Sequence, residues 1–401
     1  MVGASLAGLR VCESLRSEGY DGRLALVGAE DRLPYDRPPL SKEVLGGQKD
    51  PGFAELTRPD ELAGLDLEIS LGSRARRLVP DEHRVELEDG RSLGYDRVVI
   101  ATGARPRNLP IAGTDLPGVH LLRTIEDCLA IRAGFGGSPR VVVIGAGFIG
   151  CEVAATAAGL GLDVTVLEFL PTPLYAALGE DVGRIVESIH RDGGVAMRCG
   201  AAAAELRGAD RVEEVVLEDG TALPADLVVI GVGVQPETGW LEDSGLVLDN
   251  GVVCDERLQA VGRPDVLAVG DVVRWHHPGL GRNVRVEHWT HASESGSFAA
   301  GQILGRHAGG DGDVYDPVPY VWSDQHGQRI QILGLPEPGD RAHVVHGAPG
   351  ERKLVVVYEG GGRLHAAVSF NHPGRLMRYR PLLVERASWA EAEALAAELG
   401  P

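Results

Sequence analysis

An α/β fold with parallel sheets is the first prediction that this sequence supports, and three observations lead to it. Short apolar runs of strand length alternate with helical patterns through residues 1–170, which is typical of parallel strands joined by crossover helices. Two glycine-rich loops, at residues 3–8 and 145–150, each precede such a helix. After about residue 318 the pattern changes to antiparallel strands and a terminal helix at residues 389–399, which indicates a separate C-terminal α+β domain.

The second loop is the better formed. A buried strand precedes it, a small alanine-rich helix follows, and the next strand ends at Glu168, 18 residues after Gly150. Gly145, Gly147 and Gly150 permit the tight turn and close pyrophosphate approach of a Rossmann-like dinucleotide-binding unit. Glu168 is placed to accept a hydrogen bond from a ribose 2′-hydroxyl. Residues 169–175 contain no Arg or Lys that could pair with a 2′-phosphate. This half therefore predicts an NAD site, the alternative being a glycine-rich turn without a ligand.

The first loop is less regular. Gly3 and Gly8 hold the outer glycine positions, but Ser5 stands where a second glycine is usual. A helix and a strand follow, and Glu30 after that strand is the candidate ribose acid. Only two residues precede Gly3, so we expect the first strand to be nearly absent. Either the natural chain carries several more apolar residues there, or the shortened strand weakens retention of the first dinucleotide.

Two dinucleotides bound to one chain suit an enzyme that passes electrons from a nicotinamide to a flavin. Three strand ends add candidate ligand contacts, because ligands of open parallel sheets lie at the carboxyl ends of strands. These junctions are residues 101–106, 231–236 and 270–271. Asp-Gly turns at 89–90 and 219–220 precede two of them, so the chain contains a diverged internal duplication. Taken singly, each junction is better interpreted as a turn selected for geometry, but the three junctions together with two glycine loops favour ligand contacts.

Composition excludes several classes of protein. The 401 residues are 44% hydrophobic and 24% charged, as in a globular protein of two or three domains. A net charge of −19 argues against general binding to nucleic acid or to anionic membranes. No apolar stretch approaches a membrane span and no signal peptide opens the chain. Five cysteines without a Cys-x-x-Cys pair indicate neither a dithiol centre nor a zinc site, and they favour a reduced, cytoplasmic protein.

Taken together, these residues resemble the FAD-dependent, NADH-utilising ferredoxin reductases, which include putidaredoxin reductase, rubredoxin reductase and the reductase components of aromatic-ring dioxygenases. The similarity covers nearly the whole chain. Its most specific stretches are residues 34–42, 101–106, 231–236, 287–289, 322–325 and 370–373. The resemblance implies a two-dinucleotide-binding flavoprotein with a split FAD domain at 1–109 and 237–318. The NAD domain would lie at 110–236 and the C-terminal domain at 319–401.

The resemblance also implies a role for individual residues. Those that would contact FAD are Gly3, Ser5, Gly8, Glu30, Arg37, Lys42, Ala75, Thr102, Arg105, Asp271 and Trp289. Those that would contact NADH are Gly145, Gly147, Gly150, Glu168 and Gly233. Lys42 would pair with Glu152 near the position of hydride transfer, and Trp322 would flank the flavin and the nicotinamide. No metal site is implied.

Each assignment has a plainer alternative. Lys42 could be a solvated residue at a helix start, although the rigid prolines before it argue against that. Trp289 and Trp322 could be ordinary core aromatics. Histidines at 276, 277, 288 and 291 could suggest a metal, but their spacing lacks a carboxylate scaffold.

The leading functional hypothesis is an NADH:ferredoxin reductase, monomeric or homodimeric, that feeds a small iron–sulfur protein serving an oxygenase. An NADH oxidase, peroxidase or disulfide reductase of the same fold is the first alternative, but residues 34–42 contain no redox cysteine. A flavoprotein with an interaction role, related to apoptosis-inducing factor, is the second, and the acidic charge disfavours it. An acidic reductase needs a local basic surface for an acidic ferredoxin. The candidates are Arg282, Arg285, Arg375, Arg378 and Arg380.

Overall fold

The computed structural model describes residues 1–305 and 314–400, and these form two compact units, each built from several segments of the chain. The first unit contains described residues from Met1–Asp36, Glu55–Arg105 and Gln235–Pro319. The second unit contains those from Arg37–Ala54, Pro106–Val234 and Tyr320–Pro401. The strands Ala104–Pro106 and Val234–Pro236 lie where the chain passes from one unit to the other.

Val2 occupies the central position of the parallel sheet in the first unit. It bridges Val27, in the strand Leu24–Val27, and Ile100, in the strand Val98–Ile100. Its amide donates to the carbonyl of Val99 at 2.9 Å. The first strand is thus reduced to a single bridging residue, as the sequence predicts, yet that residue joins two strands that would otherwise expose unpaired edges.

The remaining strands of the first unit extend this sheet and add a small antiparallel one. Parallel pairing continues through Leu67–Ser70 on one side and Arg263–Ala268 on the other. The other strands are Val252–Cys254, Gln259–Ala260, Val273–His277, Arg282–Val284, Ala75–Val79, Arg84–Leu87 and Ser92–Gly94. The helices are Leu6–Ser17, Pro59–Gly64 and Trp289–Ile303, and the first and last of these pack together through Arg10 Nε, which donates to Ser293 Oγ at 3.2 Å.

The second unit contains a five-stranded parallel sheet. Its spatial order is Ala196–Cys199, Asp163–Glu168, Arg140–Ile144, Leu227–Ile230 and Val119–His120. The inner strand Arg140–Ile144 is almost wholly buried, as expected for a parallel strand covered on both faces. A three-stranded antiparallel sheet, Ala203–Arg207, Glu214–Leu217 and Ala222–Pro224, accompanies it. The helices of this part are Ile125–Gly134, Phe148–Gly159 and Tyr175–Asp192.

The C-terminal residues form a five-stranded antiparallel sheet in the same unit. Its spatial order is Tyr320–Gln325, Gln328–Gly334, Arg363–Phe370, Lys353–Gly360 and Arg341–Ala348. The helices Pro373–Leu376, Arg380–Val384 and Trp389–Leu399 follow. The helix Tyr175–Asp192 packs its apolar face on this sheet, and Tyr358 Oη donates to the carbonyl of Leu178 at 2.8 Å.

The predicted fold class is confirmed: parallel α/β sheets followed by an α+β C-terminal region. The helix Trp389–Leu399 has the predicted bounds, because Ser388 caps it by accepting from the amide of Glu391. The sequence did not indicate that Tyr175–Asp192 would pack on the C-terminal sheet. Among the described residues, no helix is long and apolar enough to cross a membrane.

Candidate functional site

The first glycine loop, in the first unit, has a backbone that only glycine tolerates. Gly3 adopts φ +121°, and a Cβ there would lie 2.1 Å from the carbonyl oxygen of Ala101. A Cβ on Gly8 would lie 2.0 Å from the carbonyl oxygen of Gly3. These two glycines thus allow the strand end and the helix start to pack directly against each other.

The helix that follows this loop is open to an anion at its N-terminus. Ser5 is its N-cap residue, yet the Ser5 side chain makes no capping hydrogen bond. The first-turn amides of Leu6, Ala7 and Gly8 have no acceptor within the helix, and the helix dipole places positive potential there. The arrangement fits a pyrophosphate group.

The other predicted FAD residues of the first unit lie on loops after strands. Glu30 follows the strand Leu24–Val27, and Tyr35 Oη donates a hydrogen bond to its carboxylate. Thr102 Oγ1 donates to the carbonyl of Glu237 at 2.9 Å, and Arg105 Nη1 lies 3.2 Å from the Glu237 carboxylate. These contacts fix the loop that follows the strand Val98–Ile100.

Three further predicted residues lie elsewhere in the first unit. Ala75 is buried at the start of the strand Ala75–Val79. Asp271 lies in the short turn after Arg263–Ala268, where its carbonyl accepts from Arg285 Nη1 at 3.3 Å. Trp289 is only partly buried and its indole Nε1 donates to Asp36 Oδ1 at 2.7 Å, so it is not an ordinary core aromatic.

The second glycine loop, in the second unit, repeats the geometry of the first. Gly145 adopts φ +101°, and a Cβ there would lie 2.4 Å from the carbonyl oxygen of Gly231. A Cβ on Gly150 would lie 2.0 Å from the carbonyl oxygen of Gly145. By contrast, a Cβ on Gly147 would meet only the Gly231 carbonyl, at 4.0 Å. The protein leaves space in front of Gly147, as a loop must if its backbone is to approach a pyrophosphate.

Glu168 is held in place by the loop it serves. One carboxylate oxygen accepts from the amide of Ala146 at 2.6 Å, and the other accepts from the amide of Leu170 at 2.8 Å. Carboxylate oxygens retain lone pairs after one such bond, so Glu168 can still accept from a ribose hydroxyl. Gly233, with φ +94°, lies after the strand Leu227–Ile230 and has open space at its Cα. The side chain of Phe169, next to Glu168, is 72% exposed and was not singled out from the sequence.

The structure brings Lys42 and Glu152 together inside the second unit, where Nζ lies 2.7 Å from Oε2. Their side chains are 15% and 5% exposed, so this is a buried ion pair. Ser41 Oγ donates to the same carboxylate oxygen at 2.5 Å, and Ser323 Oγ donates to the other at 2.6 Å. A buried carboxylate with three donors is compensated for its loss of hydration. Neither serine contact was expected from the sequence, because nothing near Glu152 in the chain indicates that it meets Ser41, 111 residues away, or Ser323, 171 residues away.

The approach to Lys42 is rigid. Pro38–Ser41 forms a short 3-10 turn with prolines at its start, and Arg37 Nη1 donates to the carbonyl of Arg123 at 2.6 Å. The carbonyl of Ser41 accepts from Thr156 Oγ1 at 2.7 Å. Lys42 is therefore a fixed, buried residue, and the alternative of a solvated helix-start lysine is wrong.

Trp322 lies on the strand Tyr320–Gln325 of the second unit and is half-buried. Its ring is 6.1 Å from that of Tyr320, and the Cζ of Arg329 is 5.9 Å from its centroid. The half-buried Trp322 ring thus lies next to Ser323 in the chain, with Tyr320 and Arg329 near it.

All five cysteines are free, and none is prepared for redox chemistry. Burial raises the pKa of the Cys12, Cys128 and Cys199 thiols to about 11. Burial raises the pKa of Cys151 and Cys254 still further. Because the thiolate is the reactive form, these raised pKa values disfavour thiol chemistry at neutral pH.

Of the histidines at 276, 277, 288 and 291, His277 and His291 are buried. His291 stacks on Trp275 with ring centroids 4.7 Å apart, and burial lowers its pKa to about 3. Burial likewise lowers the pKa of His288 to about 4. Residues 1–305 and 314–400 contain no group of three or more His, Cys, Asp or Glu side chains that could hold a metal.

Two of the five arginines proposed as a docking surface do not fit that role. The Arg285 side chain is only 10% exposed and pairs with Glu287 at 2.6 Å. Arg375 Nη1 donates to the carbonyl of Gly400 at 2.6 Å and lies 2.8 Å from His346 Nδ1. Arg282, Arg378 and Arg380 are exposed.

Comparisons with known proteins identify related reductases over nearly the whole chain. Residues 1–296 match the pyridine nucleotide-disulphide oxidoreductase family, and residues 320–399 match the reductase C-terminal family. The chain is 36% identical to rhodocoxin reductase of Rhodococcus erythropolis, with 96% of this chain and 88% of that protein covered. It is 35% identical to the ferredoxin–NAD(+) reductase subunit of the benzene 1,2-dioxygenase system of Pseudomonas putida, with 99% and 94% covered.

Among solved structures, the covalent putidaredoxin reductase–putidaredoxin complex matches with a TM-score of 0.90 and 35% identity, covering 96% of this chain and 92% of that one. Both matched families, the relatives and the shared fold point to one group of flavoproteins. The chain therefore belongs to the pyridine nucleotide-disulphide oxidoreductase family and, within it, to the ferredoxin reductases that carry the reductase C-terminal domain.

Proposed function

We propose that this protein is an FAD-dependent enzyme that oxidises NADH and delivers the electrons to a small iron–sulfur ferredoxin, which in turn serves an oxygenase. The observation that carries the proposal is the presence of two complete glycine-loop cradles, at Gly3–Gly8 and Gly145–Gly150, in one chain. The named relatives include reductase components of oxygenase systems, and one solved relative is joined to putidaredoxin.

The proposed domains follow the two cradles. Residues 1–109 and 237–318 form the FAD domain, 110–236 the NAD domain and 319–401 the C-terminal domain. Gly3, Ser5 and Gly8 hold the FAD pyrophosphate at the helix N-terminus, and Glu30 bonds the adenosine ribose. The other proposed FAD contacts are Ala75, Thr102, Arg105, Asp271, Trp289, Arg37 and Lys42.

The second cradle selects the nicotinamide cofactor. Gly145, Gly147, Gly150 and Gly233 allow the backbone to approach the pyrophosphate of NADH. Glu168, which the amides of Ala146 and Leu170 hold in position, accepts from the ribose 2′-hydroxyl. The same carboxylate would repel a 2′-phosphate, so NADH is preferred to NADPH.

The buried Lys42–Glu152 pair is the proposed catalytic element, with Trp322 beside it. FAD supplies the redox chemistry, since it accepts a hydride and can return electrons singly. Lys42 carries the positive charge that stabilises negative charge developing next to it, and Glu152 holds that ammonium in one position. Trp322, which is half-buried and lies on the same strand as Ser323, is proposed to exclude water from one side.

The acceptor is proposed to dock through exposed positive charge. Because the chain has a net charge of −19, an acidic ferredoxin needs a local basic surface. Arg282, Arg378 and Arg380 are the remaining candidates. The five free cysteines fit a reducing compartment, and we propose a cytoplasmic location.

The test is stopped-flow reduction of the purified, yellow protein by NADH, followed by turnover with a panel of small [2Fe–2S] ferredoxins. We expect flavin bleaching on mixing, faster with NADH than with NADPH, and reduction of at least one ferredoxin. The KM for that ferredoxin should rise with salt, since exposed charges are screened over roughly 8–10 Å at physiological ionic strength. Colourless protein that cannot be reconstituted with FAD would disprove the proposal, and so would a bleached flavin that passes electrons to dithiols but to no ferredoxin.

A further inference from the structure

A chain of buried polar side chains leads away from the Lys42–Glu152 pair, and the proposed mechanism does not use it. Ser323 Oγ, which donates to Glu152, itself accepts from Gln325 Nε2 at 2.9 Å. Gln325 Oε1 lies 2.9 Å from His190 Nε2, and His190 Nδ1 lies 3.1 Å from His326 Nε2. We call these four residues, Ser323, Gln325, His190 and His326, the polar chain.

The fold explains how these residues meet. Ser323 and Gln325 are two positions apart on the strand Tyr320–Gln325, so both point to the same face of the sheet. That face is covered by the helix Tyr175–Asp192, which carries His190. His326 lies in the turn after the strand, with φ +50°. The first three are fully buried, with exposed fractions of 0%, 1% and 0%, whereas His326 is only partly buried.

The direction of every hydrogen bond in the polar chain follows from the charge of Glu152. A carboxylate paired with Lys42 only accepts, so Ser323 must donate to it and can then accept from the Gln325 amide. The amide oxygen of Gln325 must therefore accept a hydrogen bond from the N–H of His190 Nε2. Burial lowers the pKa of His190 to about 4, so the ring is neutral and its Nδ1 is an acceptor for His326.

We propose that His190 and Gln325 are positioning residues that hold Ser323 as a hydrogen-bond donor to Glu152 and thereby hold the Lys42–Glu152 pair in one arrangement. A serine hydroxyl alone could rotate away from the carboxylate. With the Gln325 amide donating to its oxygen, the Ser323 hydroxyl hydrogen is directed to Glu152. The consequence for catalysis rests on the proposed function, whereas the coupling between the residues does not.

The first test is a double-mutant cycle read by thermal unfolding. Gln325→Leu should lower the melting temperature by about 2 °C or more, because it leaves buried partners unpaired. In the Glu152→Gln background there is no carboxylate for Ser323 to bond. Gln325→Leu should therefore lower the melting temperature clearly less in that background. Gln331→Leu is the matched control: Gln331 is buried on the neighbouring strand but donates to Tyr320 Oη at 2.6 Å. Its effect should be the same in both backgrounds.

The second test asks whether the polar chain acts on the redox site. His190→Leu removes the donor to Gln325, whereas His190→Gln keeps an amide N–H near the same position. We expect NADH-driven flavin bleaching to slow by about fivefold in His190→Leu, with a more negative midpoint potential of the bound flavin. Both should return towards the wild-type values in His190→Gln.

The outcomes separate this inference from the proposed function. Equal costs of Gln325→Leu in the two backgrounds overturn the inference, even if NADH reduces the protein normally. The inference is also overturned if the double-mutant cycle shows coupling but His190→Leu leaves the midpoint potential of the bound flavin unchanged. The polar chain would then only stabilise the fold. A wild-type protein that holds no flavin defeats the proposed function, while the melting cycle still decides whether the polar chain positions Glu152.

Discussion

The two glycine loops share one backbone geometry but differ in what surrounds it. Gly3 and Gly145 both have strongly positive φ angles, and in each loop a Cβ on the last glycine would lie 2.0 Å from the carbonyl oxygen of the first. The second position differs, with Ser5 in the first loop and Gly147 in the second. Close packing of the helix on the strand thus requires glycine at the first and last positions of each loop. At the middle position, the approach of the ligand determines which residue is tolerated.

The acids that follow the loops differ more. Glu168 is bonded by the amides of its own loop and of Leu170, so backbone positions it rigidly. Glu30 is instead bonded by a side chain, the hydroxyl of Tyr35. The acid of the second loop is therefore held by backbone amides, and the acid of the first loop by a side-chain hydroxyl five residues further along the chain.

The largest expected effects come from Gly8→Ala and Gly150→Ala, which create the same clash in different loops. Gly150→Ala should raise the KM for NADH by on the order of 10- to 100-fold while FAD stays bound, because the overpacked loop must shift. Gly8→Ala should instead release FAD. Flavin content after desalting and steady-state kinetics measure the two losses. If Gly150→Ala released the flavin and Gly8→Ala did not, the assignment of the two loops would be reversed.

The second effect concerns the acid of the second loop. Glu168→Arg should lower the ratio of kcat/KM for NADH over NADPH by on the order of 100-fold, because it replaces repulsion of a 2′-phosphate by attraction. Glu168→Gln is the control for charge: its amide oxygen can still accept from Ala146, but its NH2 group cannot accept from Leu170, so one hydrogen bond is lost with the charge. An unchanged ratio in Glu168→Arg would mean that Glu168 supports the loop and does not contact the nucleotide.

A smaller effect is expected at the middle position. Gly147→Ala meets no protein atom closer than 4.0 Å, so the melting temperature should not fall. The KM for NADH should nevertheless rise by about tenfold, since the methyl group occupies the space intended for pyrophosphate. Ser5→Gly is the reciprocal change and should leave flavin content unaltered. A fall in stability without a change in KM would show that the space in front of Gly147 is not a ligand site.

The smallest effect is expected from Cys151→Ala. Cys151 follows the second loop where Leu9 follows the first, and burial raises the pKa of its thiol far above neutrality. NADH-driven reduction of an artificial acceptor should remain within about twofold of the wild-type rate. Cys151→Ser, which also removes the thiol, serves as a second variant. Loss of turnover in folded, yellow protein would instead support disulfide chemistry.

Local patterns in the sequence were sufficient for much of the fold. The apolar run at 140–144, the glycine loop after it and the acid at 168 predict a βαβ unit because each feature depends on neighbouring residues only. FAD and NAD(H), which the two loops predicted, are confirmed by the family. The capped terminal helix, Trp389–Leu399, was predicted with its observed bounds for the same reason.

Long-range contacts decided the rest. The two residues before Gly3 are too few for a regular strand. Val2 nevertheless bridges Val27 on one side and Ile100 on the other, because strands later in the chain supply its partners. Arg375 looked like a surface charge, but it is bonded to the C-terminal residues.

The sequence by itself determined the two cradles, because a glycine that must adopt a positive φ or pack against a carbonyl is visible as a residue type at a fixed spacing. Only the tertiary structure decided the environment of Glu152. Lys42, Ser41 and Ser323 lie more than 100 residues from it along the chain, and His190 acts through two intermediates. The hydrogen-bond donors to a buried charge come from the elements that the fold packs around it. These elements can be distant in sequence, so the residues next to the charge in the chain do not predict the donors.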